Sequence, residues 1–288
     1  MLENIRLSFQ GVWSHRLRSF LTMLGIIIGI AAIIAIVSTI KGTNEQIKKN
    51  LIGSGTNTTT VQLTEEGNYP AEMEYGIPKG IPVLDDDMRQ QLADIDHVKD
   101  ASLYVSRTQV DYIYYNDTSL SGGQLIGADS HYLGTCGYIM KRGRGFTDSD
   151  YEKYRKVAVI DSVAADSLFG DANPVGKTID IKGEPFIVIG VIEESTAFSP
   201  VINSVEDYYT YVYNDGSASG IVVIPDVDWN IVQQYDEPQN AKLLADSTDN
   251  MTSVGKAAQT LLNETVTSKS IKYRAANMNE TAEESQQV

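Results

Sequence analysis

The sequence predicts an α+β protein tied to a membrane by a single N-terminal transmembrane helix. Three observations carry that reading. First, Ser19 to Ile40 form an uncharged apolar run, SFLTMLGIIIGIAAIIAIVSTI. At 1.5 Å per residue a helix of this length covers about 33 Å, enough to cross the hydrocarbon of a bilayer. Second, the rest of the chain is polar and acidic. The formal net charge is −15. Residues 1–62 carry six Lys/Arg against two acids, which leaves −19 for the remainder. Third, short strand-like and helix-like segments succeed one another there without long alternating βαβ units, the pattern of an α+β domain.

Taken in order, residues 1–18 read as a cytoplasmic amphipathic helix on the membrane surface. Ile5, Phe9, Val12, Trp13 and Leu17 fall near helical spacing, and Arg6, His15, Arg16 and Arg18 supply a basic face. Residues 19–40 are the transmembrane helix. The run is longer than a signal-peptide core and leads into Val37-Ser38-Thr39-Ile40-Lys41 without a small-x-small cleavage site. Basic residues flank it on both sides, with Lys41, Lys48 and Lys49 after it. The short N-terminus is placed inside the cell and the large domain outside, at the cell membrane. Gly25, Gly29 and Ala32 share one side of the span, a small-residue stripe suited to close helix–helix packing. Small residues are also common in plain lipid anchors, which is the other reading.

Residues 41–55 read as a stalk that ends at Gly53-Ser54-Gly55. Thr58–Leu63 is β-branched and strand-like. Residues 65–82 read as a loop. Asp85 caps a helix whose apolar positions are Met88, Leu92, Ile95 and Val98. Strands are predicted at Ala101–Val105, Gln109–Tyr115, Gly123–Gly127 and Val157–Ile160. A helix over Ser162–Phe169 stops at Gly170. Next comes a hairpin: Thr178–Lys182, a turn at Gly183-Glu184, then Phe186–Ile192. Ser219–Pro225 is a strand, Thr252–Val266 a helix and Ser270–Ala276 a closing strand.

Composition excludes several function classes. So acidic a domain repels phosphate, so nucleic acid is not an expected partner. Cys136 is the single cysteine, so no intrachain disulfide forms. His15, His97 and His131 are dispersed, and no GxSxG, HExxH or EF-hand pattern occurs. No catalytic set, metal site or bound cofactor is expected, and the chain reads as a non-enzyme. Gly170 to Thr178 (GDANPVGKT) is nearly a phosphate-binding P-loop. It has five residues between the glycines instead of four, and it leads from a helix into a hairpin rather than from a strand into a helix. Asp85-Asp86-Asp87 reads as a solvated helix start. Tyr208–Tyr213 (YYTYVY) places Tyr209, Tyr211 and Tyr213 on one face of a strand. Contact with a partner or substrate is the alternative, since tyrosine offers large contact area at low entropy cost.

The opening ENIRLSFQGVWSHRLRSFLTMLGIIIGIAAIIAI resembles the start of MacB/FtsX-like ABC transporter permeases. The stretch GADSHYLGTCGYIMKRGRGFTDSDYEKYRKVAVIDSVAADSLFGDANPVGKTIDIKGEPFIVIGVIEES is similar to the core of that family's extracytoplasmic domain. Its recurring pieces are Gly143-Arg-Gly-Phe146, Val157–Ile160, Leu168-Phe-Gly170, Pro174-Val-Gly-Lys177 and Phe186–Ile192. The resemblance implies a two-part extracytoplasmic domain. A porter-like part takes residues 56–122 and 196–288, and a small inserted α/β part takes 123–195. It also implies a permease component, worked by an ABC ATP-binding subunit and paired with a second permease copy. Arg6, Arg16 and Arg18 would contact the ATPase subunit, and Gly25, Gly29 and Ala32 would pack against a later span or the second copy. Peptides, antibiotics or lipoproteins are the cargoes the family suggests. Related permeases carry three more membrane helices after this domain. The sequence ends at Val288, about where the second would begin, so the resemblance implies half a permease. A reading from a different class is a single-span sensor or scaffold that binds a ligand or regulates a cell-envelope enzyme.

Overall fold

The computed structural model describes residues 16–51, 57–65, 71, 78–193, 219–233 and 239–275. Helix α1, Arg16–Leu51, merges the expected span with most of the expected stalk in 36 residues. No proline interrupts it, and Leu, Ile and Ala dominate its first two thirds. The helix is apolar all round rather than on one stripe, the character of a segment with no aqueous face. The amphipathic segment expected over residues 1–15 lies outside the described residues.

Residues 48–288 form a separate unit. Among the described residues its strands make one continuous sheet in the order β12-β1-β11-β2-β5-β10-β7-β9-β8-β3-β4, with β6 (Ile139–Gly143) added on β9. β1 (Thr58–Thr64) lies between β11 (Asn240–Ala245) and β12 (Lys272–Ala275), antiparallel to both. β2 (Val98–Val110) pairs with β11 and then with β5 (Gly123–Ala128). β10 (Ile221–Pro225) runs parallel to β5, and β7 (Val157–Asp161) parallel to β9 (Glu184–Glu193). β8 (Thr178–Ile181) completes the hairpin with β9, and β3 (Ile113–Tyr115) and β4 (Thr118–Ser119) finish that end. The mixture of parallel and antiparallel pairs with short helices is the α+β architecture expected.

Two expected elements end elsewhere than predicted. Helix α2 runs from Asp86 only to Ala93, capped by Asp85, whose carboxylate accepts from the Met88 amide at 3.0 Å. Ile95 and Val98 keep their inward positions without the helix, because the chain reverses at His97, where φ is 70°. The two strands expected at 101–105 and 109–115 are instead one strand of 13 residues, β2, followed by β3. Polar Ser106, Arg107 and Thr108 interrupt the apolar alternation, yet β5 supplies the pairing up to Val110 across a register shift. By contrast α5, Ser162–Phe169, matches its predicted bounds, with Asp161 accepting from the Ala164 amide at 2.7 Å. In the β8–β9 hairpin the turn falls at Lys182-Gly183, one residue before the expected Gly183-Glu184, because both residues have the positive φ (56° and 89°) that a two-residue type I′ turn requires.

Two large apolar cores form on this sheet. One joins Val61, Leu92, Leu103, Leu243 and Tyr273 with Val254, Ala258 and Leu262 of α7 (Met251–Glu264). The other joins Val105, Ile113, Leu125, Ile160, Phe186 and Ile224 with Leu168 and Phe169 of α5. The chain thus puts residues 61–103 and 241–273 in the first core and 105–232 in the second. A smaller cluster (Tyr104, Ile126, Tyr132, Cys136, Val159, Val223) covers the opposite face of the same strands. Successive residues alternate between faces, so β7 and β10 are apolar on both sides and read as VAVI and IVVI.

Candidate functional site

The membrane-facing feature is built by α1. Phe20 to Ser38 has a mean hydropathy of 2.9, and none of it is buried by the rest of the chain. Seven isoleucines here (26, 27, 28, 30, 33, 34 and 36) are more than half exposed. Leaving them in water would cost on the order of 10 kcal/mol, comparable to a domain's whole stability, so another phase or another helix covers them. Gly25, Gly29 and Ala32 recur at four- and three-residue spacing and share one side of α1. A Cβ built on either glycine meets nothing within 4 Å. Arg18 is exposed near one end of this helix, and Arg16 is its first residue. Arg6, Tyr209, Tyr211 and Tyr213 lie outside the described residues.

The other motifs find structural partners. In the P-loop-like segment the backbone amides are already used. Gly176 donates to Val188 O at 2.8 Å, and Lys177 donates to Pro174 O at 3.0 Å. Cys136 is a buried thiol among the tyrosines of the smaller cluster. His131 Nδ1 stands 2.9 Å from Asp100 Oδ1.

The structure also assembles acids that the sequence reading missed. β5 and β10 run parallel and in register, with Pro225 opposite Ala128. The residue after each strand is an aspartate, Asp129 and Asp226. Asp129 accepts from Ser102 Oγ and the Leu103 amide, both at 2.7 Å, and from the His131 amide at 3.0 Å. Burial still raises its pKa. Asp226 is pushed up to about 6 by burial and then by the charge of Asp129. Asp228 is fully buried, and neither of its carboxylate oxygens has a hydrogen-bond partner among the described residues. Burial raises it to about 6 against the pull of Lys156. Trp229, next in sequence, lies on Gly127, where a Cβ would come within 2.6 Å of the indole. The available signal was an acid directly after each of two buried parallel strands.

The MacB-like periplasmic core domain profile matches residues 19–261. The chain belongs to this family. It is 34% identical to the uncharacterized ABC transporter permease YvrN of Bacillus subtilis, over 99% of this chain and 67% of that one. It is 32% identical to the macrolide export ATP-binding/permease protein MacB of Campylobacter fetus, over 74% of this chain and 32% of that protein. The chain thus spans two thirds of the YvrN length and about a third of MacB. Among solved structures, the periplasmic region of MacB from Actinobacillus actinomycetemcomitans superposes with a TM-score of 0.57 at 20% identity, covering 84% of this chain and 98% of that one. The extracellular domain of the ABC-type transporter YknZ gives 0.52 at 21% identity, covering 76% and 100%. These two structures share its fold. Membership of a permease family identifies α1 as a membrane anchor, and its small-residue stripe then has a direct test. Replacing Gly25 and Gly29 together by leucine is expected to lower oligomer yield in crosslinking at least about fivefold, because Cβ branches keep helix axes apart. Unchanged crosslinking would remove the stripe from assembly.

Proposed function

We propose that this MacB-family chain is the permease component of an ABC exporter. It couples ATP hydrolysis by a partner subunit inside the cell to conformational change in the large domain outside. The observation that carries this reading is an uncovered apolar span joined directly to a core domain of the MacB type. The N-terminus is cytoplasmic, where Arg6, Arg16 and Arg18 face the ATP-binding subunit. Two permease copies form the working unit, and the chain itself performs no chemistry. By kinship with MacB, the cargo belongs among peptides, antibiotics or lipoproteins.

Coexpression with an ATP-binding subunit encoded beside the gene tests the coupling. Arg16→Glu with Arg18→Glu is expected to cut permease-stimulated ATP hydrolysis about tenfold while leaving membrane insertion intact. Normal stimulation would exclude that helix end from the contact. Sidedness is read separately. In a Cys136→Ser background, a cysteine placed at exposed Asp117 is expected to react with a membrane-impermeant maleimide on whole cells. Labelling only after lysis would reverse the orientation.

A further inference from the structure

A cavity of about 260 Å³ opens beside the second core, which supplies Val105 and Trp229 to its wall. Val83 lines it from the loop before α2 and Val105 from β2. Asp226, Val227, Trp229 and Asn230 line it from the segment after β10, and Gln239 completes it from just before β11. Its walls are mostly apolar, with a small set of polar groups, the make-up of a small-molecule site. No cation answers Asp226 among the described residues. Its carboxylate accepts from the Val227 amide, but the charged groups that reach it are the acids Asp129 and Asp228. Tyr151 stands over these acids and donates its hydroxyl to Ala128 O at 3.0 Å. Lys156, the nearby base, is held by Glu184 at 2.6 Å and acts on Asp228. The wall therefore offers one carboxylate that lacks a charged donor, beside three valines and an indole.

We propose that this cavity binds a small amphiphilic cation, a primary amine on an apolar body. The ammonium supplies donors to Asp226. The apolar body fills the space between Val83, Val105 and Val227. Trp229 adds the attraction of an aromatic wall for a cation. The domain's net negative charge of about −19 raises the local concentration of cations and steers them to the site. The volume holds a single ring or a branched alkyl group, far short of a macrocycle. The inference is independent of transport, since it concerns binding by the folded domain.

The test uses the full chain in detergent with Trp13→Phe, which leaves Trp229 as the sole tryptophan. The probe is 2-phenylethylamine, with the neutral isostere 2-phenylethanol for comparison. The amine is expected to change Trp229 fluorescence saturably, at least about tenfold more tightly than the alcohol. Binding needs ionised Asp226, whose pKa is about 6. Affinity is therefore expected to weaken about tenfold between about pH 7.5 and pH 5, following the ionised fraction. Asp226→Asn is expected to abolish both the preference for amine and the pH dependence. Val83→Phe, at a position already 58% exposed, fills the cavity without adding a second tryptophan and is expected to block the amine while the domain melts normally. Equal binding of amine and alcohol, no saturable change, or full amine affinity in either folded variant would overturn the proposal.

Discussion

Valine in place of Gly143 is expected to destabilise the large domain by about 4 kcal/mol or more, enough to abolish folding in a marginal background. β6 (Ile139–Gly143) lies on β9 with Gly143 opposite Gly190, so two residues without side chains face each other across the ladder. A Cβ on Gly143 would run into the Ile189 carbonyl oxygen, and one on Gly190 into the Arg144 carbonyl oxygen. Both obstacles are backbone, which cannot rotate away. Gly143 also has φ of 73°. A side chain there costs about 1–2 kcal/mol in backbone strain and about 1–3 kcal/mol in overpacking. It also breaks the 3.0 Å bond from the Arg144 amide to Ile189 O, worth about 1 kcal/mol. Gly176 separates these causes. It has φ of 85° but open space around it, so Gly176→Ala should cost only the strain, about 1–2 kcal/mol. Denaturation followed by circular dichroism measures both variants. Equal losses would mean that the close approach of β6 to β9 does not hold.

Asp150→Ala is expected to cost about 3 kcal/mol. Asp150 sits inside α4 (Asp148–Glu152), and its residue surface is fully buried. It accepts from Arg144 Nη1 at 2.6 Å and Nη2 at 3.0 Å, and from the Thr147 amide at 2.9 Å and hydroxyl at 2.8 Å. Arg155 approaches at 3.6 Å. Loss of the cap costs about 1 kcal/mol and loss of the charge-assisted pair about 2 kcal/mol. Arg144, chiefly, holds the Asp150 carboxyl down to about 2. Its stabilisation of about 2 kcal/mol is present above the unfolded value near 4 and disappears as pH falls through about 2. Asp226 and Asp228 work in the opposite direction. Their folded values are raised to about 6, so their penalty is absent below about pH 4 and complete above about pH 6. Stability should therefore rise by about 1 kcal/mol per group from pH 7.5 to pH 5, level off near pH 4 and fall toward pH 2. Thermal melts across this range check the shape. A flat profile between pH 7.5 and 5 would mean that the two acids are solvated.

These two predictions explain why Gly143-Arg-Gly-Phe146 stands out in the sequence. Its first glycine permits the close strand approach, and its arginine reaches forward to the Asp150 carboxylate. Phe146 rests edge-on against Tyr151, with ring centroids 6.0 Å apart. The motif is a structural corner between β6 and α4. Spacing alone marked it without saying what it did.

Features that depend on neighbours along the chain were legible from the residues alone. The apolar run over 19–40 predicted a membrane helix from its length and lack of charge alone. Asp85 and Gly170 marked helix ends, and the hairpin turn was placed within one residue of its position, through hydrogen bonds and φ angles spanning only a few residues. Features that depend on distant partners emerged only on folding. β11 was not predicted, although it sits between β1 and β2 at the middle of one core. Its sequence NAKLLA is too short and mixed to declare a strand without the two neighbours that pair with it. β2 likewise became one strand because β5 paired through its polar middle. Asp129 and Asp226 are 97 positions apart, and only the parallel pairing of β5 with β10 brings their carboxylates together. Burial raises both pKa values, and the charge of Asp129 raises that of Asp226 further. No local pattern encodes those effects, because they arise only when two distant segments exclude water from the same place.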